Sequence, residues 1–313
     1  MSDANTKWLV EGASWLKYTV ETRLLDKKSD ATLVVKDKSI GTVINRLKDN
    51  TVGIPALKTG KLVYTRTGNA FWDLYFLADI GLKAKDIGIE KEVAELFKLQ
   101  LADGSFIIMD GAKPGYHCIP TIILSPLAKM GYKDDPHILK FLQNVIDLQR
   151  LDGGWHCALS RAKGKRLQDS VSCPMDNLNV LMLLGQYEEY RKDNRFNGAI
   201  DLLLSHWSRR KEPWRPYGFG IGGEFSKLRY PAVKYGILRV PDVLSLYPYA
   251  IRSKEFQDML NLVLQKAKNG RYYAESVSRA YSEFDFGQTK EPSRWITFLI
   301  SRIQKRVIAI KAD

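Results

Sequence analysis

Cysteine is scarce in this chain: three residues in 313, an odd number. A disulfide framework needs pairs at density, so a stapled secreted scaffold is excluded and a reducing, cytoplasmic setting is expected. Long apolar runs are missing too. No stretch approaches the roughly 18–20 uninterrupted apolar residues of a membrane span. The opening MSDANTKWLVEGASW carries no basic segment ahead of an apolar core, so no secretory leader is expected. Acidic residues fall short of basic ones, 35 against 48, leaving a net charge of +13. That balance suits an anionic partner, either a phosphorylated ligand or the surface of an acidic membrane, as well as a plain solvated basic surface. It does not point to nucleic acid, because recognition-helix, zinc-finger and RNP signatures are all absent. Strand-like runs are few, and no linker divides the chain, so residues 1–313 are read as one domain.

What is present is helix after helix. Apolar residues recur at helical spacing over 13–25, 30–47, 70–82, 89–100, 119–131, 135–149, 175–185, 194–207, 231–248, 253–267 and 293–307. Asp30 is read as an N-cap, and Asp135 followed by Pro136 is a helix start. All-round apolar segments such as AFWDLYFLADI alternate with amphipathic ones such as IEKEVAELFKLQ. A helix apolar on every side must be buried on every side, whereas an amphipathic one covers a core. The alternation therefore predicts an all-α fold in two concentric layers.

A repeat underlies the pattern. QLADGSF begins at Gln100 and QRLDGGW at Gln149, each a glutamine, three residues, a glycine, one residue and an aromatic. Each follows an amphipathic segment and precedes an apolar one. A weaker copy, QKAKNGRYY, starts at Gln265, and FGIGGEF at 219–225 is a degenerate one. In each good copy the glutamine is suited to bond the backbone freed at a helix end, and the glycine to permit the turn. Trp155 is suited to lie across the next hairpin, with lining of a central cavity as the alternative. These repeats resemble those of the α/α toroids: squalene–hopene-type cyclases, the β subunits of protein prenyltransferases, and a bacterial prenyltransferase-like group. The resemblance implies a double-layered barrel of about six hairpins with a cavity on its axis, and an isoprenoid or similar lipid-like substrate.

Alignment of the two good repeats puts Cys118 and Cys173 at the starts of consecutive apolar helices, with Cys157 on the connection between them. Any one of them alone reads as a small core hydrophobe. Three at matched ends read as zinc ligands, since three thiolates and one imidazole form a common tetrahedral set. Helix N-termini lower a thiol pKa, which favours the ligating form. His206, at the end of a returning outer helix, is the leading fourth ligand, ahead of His117 and His156; His137 is read as solvent-facing. The resembled prenyltransferases hold zinc through an aspartate, a cysteine and a histidine. Cys173 and the YHC turn at 116–118 are similar to part of that set, but Val171 occupies the aspartate position, and Asp169 is displaced. A closed thiolate-rich site would be structural rather than catalytic.

The motifs of terpene ionisation are missing. There is no Asp-x-Asp-Asp, and DDPHI at 134–138 fails the magnesium motif at its last position. Asp176 is a weak candidate for a catalytic acid. Arg161, Lys163, Lys165 and Arg166 lie between Cys157 and Cys173 and, with Trp155, are the substrate-binding candidates: a diphosphate grip, or a solvated basic loop. Two functions follow as expectations. The first is a cyclase- or prenyltransferase-like toroid acting on or binding an isoprenoid-type molecule. The second is a non-catalytic, zinc-stapled toroid that docks an anionic partner. A deep aromatic cavity favours the first and a filled barrel the second.

Overall fold

In the computed structural model the described residues are 3–108, 117–156, 161–162, 165–166, 171–233 and 235–312, with only the backbone described at the two short strands. Helix accounts for 58% of the structure, which places it in the all-α class. The first half contains α1 (Asp3–Val10), α2 (Ser14–Arg23), α3 (Thr32–Val35), α4 (Lys38–Lys48), α5 (Ala70–Ile80), α6 (Ala84–Ile87), α7 (Glu90–Phe97), α8 (Cys118–Leu127) and α9 (Pro136–Asp147). The second half contains α10 (Pro174–Leu184), α11 (Glu188–Arg191), α12 (Asn197–Ser208), α13 (Arg239–Leu244), α14 (Pro248–Ile251), α15 (Lys254–Leu264) and α16 (Arg294–Ala312). Between α9 and α10, the two-residue strands β1 (Arg161–Ala162) and β2 (Lys165–Arg166) pair antiparallel.

Burial separates the helices into the two classes that the apolar pattern predicts. Every residue of α5, α8, α10 and α13 is buried. By contrast α4, α7, α9 and α15 bury a single stripe: Ile40, Val43, Ile44 and Leu47 in α4, for instance, and Ile138, Phe141, Leu142 and Val145 in α9. The four fully buried helices contact one another in order, and the partly buried α2 and α16 continue the series at its ends. α2 packs on α5, α5 on α8, α8 on α10, α10 on α13, α13 on α16, and α16 returns to α2. Amphipathic helices then pack behind them, α4 on α5, α9 and α12 on α10, and α15 on α13.

The glutamine–glycine repeat holds neighbouring hairpins together. Gln100 Nε2 donates to the Gly104 carbonyl (3.0 Å) and to the His137 carbonyl at the start of α9 (2.7 Å). Gln149 Nε2 does the same to Gly153 (2.7 Å) and to Arg195, just ahead of α12 (2.7 Å). Both glycines are left-handed, φ +90° and +80°, and both lie against the next hairpin: a Cβ would sit 2.7 Å from the Lys140 carbonyl oxygen or 2.9 Å from Gly198 Cα. Only glycine meets both demands. The aromatic that follows packs on the same neighbour, Phe106 on Phe141 and Trp155 on Phe196. The copy at Gln265 reaches α1 instead, where Asn5 Nδ2 donates to the Gly270 carbonyl (3.0 Å) and Trp8 lies beneath the Arg271 and Arg294 guanidiniums.

Two boundary expectations change. The segment 30–47 breaks into α3 and α4, and the working cap is Asp37, whose carboxylate accepts from Ser39 N and Ile40 N. Asp30 caps no helix and closes a local turn on Thr32. Among the described residues of 231–248, the α-helix is confined to Arg239–Leu244 until α14 begins at Pro248. Pro231 lacks the N–H that a helix needs, and the extended entry leaves Tyr230, Val233 and Tyr235 free to pack as loop residues.

Candidate functional site

The two ends of the buried helices differ in chemistry. At the start of α8 and α10, Cys118 and Cys173 come together with Met175 and Tyr217 in a small buried cluster, backed by Phe219 and Tyr235. The Cys118 thiol is hydrogen-bonded to the Asp176 carboxylate. Asn179 Nδ2 donates to Cys118 Sγ (3.2 Å) and accepts from Arg239 Nη2 through its Oδ1 (2.5 Å). Burial, the Asp176 carboxylate and the Cys173 thiol push the Cys118 thiol well above its usual range. This is the opposite of the lowering expected at a helix start, because desolvation of the anion outweighs the half-charge of a helix end. Tyr217, stacked on His156 at 5.3 Å, holds a left-handed backbone (φ 50°) beside the pair. Non-glycine residues in that region are strained by about 1–3 kcal/mol and cluster at functional sites.

A cavity of about 320 Å³ opens beside these thiols, lined in part by Tyr64, Met175, Phe219, Phe225, Tyr235 and Leu238. Met175, Phe219 and Tyr235 belong to both cavity and thiol cluster. Lys227, Arg229 and Glu224 stand at its polar side.

Of the other sequence-derived candidates, Trp155 is fully buried. Its indole N–H donates to the Val145 carbonyl (2.8 Å), and its backbone N–H donates to Asn177 Oδ1 (2.9 Å). It ties α9 to α10 and is not part of the cavity wall. His206 is buried against Tyr235 (5.2 Å between rings) and Trp214 (6.0 Å), and burial pulls its pKa down to about 4, leaving a neutral imidazole. Tyr235 thus touches both His206 and the thiol cluster. His117 is buried ahead of α8, while His156 is hydrogen-bonded to Arg150. His137 is half-exposed, paired with Asp135 at 3.0 Å and stacked on Phe97. Cys157, Lys163 and Asp169 lie outside the described residues; Arg161, Lys165 and Arg166 are placed by backbone only, in the β1–β2 hairpin. Among the described residues no group of three His, Cys, Asp or Glu side chains is placed to hold a metal ion.

Sequence reasoning missed the interior between the two ends. Arg239 is 1% exposed and lies over Trp72 (5.5 Å), with Met175 and Met182 sulfurs at 3.8 and 3.7 Å. Farther along, Asp79 accepts from Lys129 (3.1 Å), Arg302 (3.2 Å) and Tyr230 (3.2 Å). Asp242 pairs with Arg302 (2.8 Å) and Arg306 (3.0 Å). Despite full burial, Asp79 is held down to about 2 by Lys129 and Arg302. Only about 10 Å³ of free space remains among Tyr75, Tyr230, Arg239, Asp242 and Arg302. This is about the least that a single water needs. Beyond the network, at the C-terminal ends of these helices, a second cavity of about 460 Å³ opens to solvent.

No family model matches the chain, and no curated protein or solved structure matches it. No described helix is long and apolar enough to cross a membrane.

Proposed function

We propose that the chain is an α/α toroid that binds an isoprenoid or similar lipid-like chain in the aromatic cavity beside Cys118 and Cys173. The toroid reading draws on the cyclic order of buried helices and on the glutamine–glycine ties between hairpins. The ligand reading rests on one observation: a cavity of about 320 Å³ with a mainly aromatic and aliphatic wall and a few polar groups at one side. Such a composition, at the lower end of ligand-pocket sizes, is that of an apolar-ligand site. Asp176 faces the Cys118 thiol and, with burial, keeps it protonated. Zinc in this reading would be held by Cys118, Cys173 and Cys157, with an imidazole as fourth donor. Of these, the described residues supply the two neighbouring thiols.

A fluorescent farnesyl analogue followed by polarisation tests the ligand. Binding to the wild type and loss in Met175→Trp, which fills the cavity, is the expected result. Failure of the wild type to bind, or equal binding by Met175→Trp, would remove the reading. The filled interior favours a second reading, a non-catalytic toroid that docks an anionic partner. The space of about 10 Å³ among Tyr75, Tyr230, Arg239, Asp242 and Arg302 leaves a long polyene no room to fold there.

A further inference from the structure

The open cavity at the other end of the buried helices is walled by six cationic side chains: Arg23 from α2, Lys129 and Lys133 after α8, Arg191 from α11, and Arg302 and Arg306 from α16. One carboxylate, Asp79, shares the wall, and Asp242 lies behind Arg302 and Arg306. Two carboxylates offset at most two of the six cations, and both are already spent on Lys129, Arg302 and Arg306. The other three have no acidic partner among the described residues. Arg191 Nε donates to the Gly185 carbonyl (2.8 Å), and Lys133 lies over the Tyr187 ring (5.1 Å). Arg23 keeps accessible surface although neighbouring atoms around Gly81 crowd its guanidinium, and it makes no hydrogen bond or ion pair among the described residues. Asp134 and Glu189, both exposed, stand near Tyr187 and outside the cavity wall.

Cations at helix C-termini have an ordinary use, since they complement the dipole and bond the last carbonyls. Arg191 on Gly185 is such a case. Arg23, in the last turn of α2, and Lys133, at the end of the turn after α8, fit that use as well; it does not account for gathering six cations around one open space. Burial is the larger cause of the lowered cations in this group, with repulsion from Arg302 adding to it, while Asp242 and Asp79 raise Arg302 itself. Burial and Arg302 pull Arg23 down; burial and Arg302 likewise pull Arg306 down to about 10. Lys129 is lowered by burial in spite of its contact with Asp79. An anion entering the cavity would offset the repulsive part of these shifts.

We infer that this cationic mouth is a binding site for a phosphate-bearing anion, of diphosphate rather than single-phosphate size. Its volume, the forked donors of Arg23, Arg191 and Arg306, and the point charges of Lys129 and Lys133 match the several oxygens of such a group. The site lies across the filled interior from the aromatic cavity, and it stands whether or not that cavity takes an isoprenoid. A free diphosphate and a lipid headgroup share the same chemistry.

Calorimetric titration of inorganic pyrophosphate into the full chain tests the inference, with Arg23→Gln/Lys133→Gln as the variant. These two cations hold no carboxylate, so their loss leaves the buried network intact. The wild type should bind, and the variant at least tenfold more weakly, with farnesyl-analogue binding unchanged. The ligand-free variant should melt at or above the wild-type temperature, because two repelled charges are gone. Lys28→Gln/Lys290→Gln removes the same charge at exposed sites elsewhere and should bind like the wild type. Binding of phosphatidic-acid vesicles but not pyrophosphate, lost in the same variant, would assign the anion to a headgroup. Absence of both interactions, equal loss in the distant control, or no loss in the mouth variant would overturn the site. So would a lower melting temperature of the ligand-free variant together with no pyrophosphate binding, which would make these residues helix-end caps alone.

Discussion

Replacement of Gln149 by alanine isolates the tie between hairpins. The side chain makes two neutral hydrogen bonds, to the Gly153 and Arg195 carbonyls, both 2.7 Å. A neutral hydrogen bond contributes about 1 kcal/mol net, less where water can take the vacated acceptor. The Arg195 contact is at an exposed position, so its carbonyl finds water on mutation, while the Gly153 contact is part-buried. The expected loss is therefore about 1–2 kcal/mol. Unfolding entropy of about 2.1 cal/mol/K per residue, taken over 313 residues, converts that to a drop in Tm of about 2–3 °C. Gln100→Ala should cost as much or slightly more, because both of its contacts are part-buried. Gln265 makes no side-chain hydrogen bond among the described residues, so Gln265→Ala should leave stability within about 0.5 kcal/mol of the wild type. Urea unfolding of the three variants measures the order. An effect of Gln265→Ala equal to that of Gln149→Ala, or none from Gln149→Ala, would show that the tie is not what joins the hairpins.

Other expectations are briefer. His206 has a folded pKa of about 4 against 6.5 unfolded, so its neutral form favours folding. That stability is present above pH 6.5 and is lost as pH falls toward 4, about 3 kcal/mol in all. Urea unfolding at pH 7 and pH 5 in the presence of a chelator should show a shallower pH slope for His206→Gln, and an unchanged slope would refute the burial argument. Gly153→Ala places a Cβ 2.9 Å from Gly198 Cα at φ +80° and should destabilise by more than about 1 kcal/mol, read as a lower urea midpoint. Metal analysis of protein purified without added zinc should give about one equivalent for a four-donor site. Cys173→Ser should then lower both zinc content and Tm. A metal-free wild type would leave Cys118 and Cys173 as a buried thiol pair.

Local signals were legible in proportion to how local their physics is. Asp135 and Pro136 marked the start of α9 because a cap and a fixed φ act within one turn, and the Asp135 carboxylate does accept from His137 N. The repeat at Gln100 and Gln149 was legible because its four-residue spacing fixes a self-contained turn. That Cys118 and Cys173 share one end of neighbouring helices followed from register, and the two lie in one buried cluster; its other members, Met175 and Tyr217, did not follow from it. Asp30 misled because Asp37 supplies the better cap seven residues on. The long apolar stretch at 231–248 misled because burial in a loop and burial in a helix select the same side chains. The cationic mouth left no trace in the sequence: its six cations come from four separate segments, each unremarkable in its own context. Nor could periodicity show that Asp79, Asp242, Arg239 and Arg302 would be enclosed, since a charged residue on an apolar helix reads as an interruption until its partner on another helix is known.

The contact between Asn5 and Gly270 joins positions 265 residues apart, and it repeats without a covalent link what Gln100 and Gln149 do along the chain. Neighbouring hairpins can dock as soon as they leave the ribosome, but this seam must wait for α15 and the strand of chain beyond it. Until then the growing array has two unlike, complementary ends. If they meet within one molecule, they seal; if they meet between molecules, each union leaves another pair of ends open, and the product is an open filament. Arg271 and Arg294 clasping Trp8 thus work as a latch, and weakening it should matter most when many unfinished chains are crowded together.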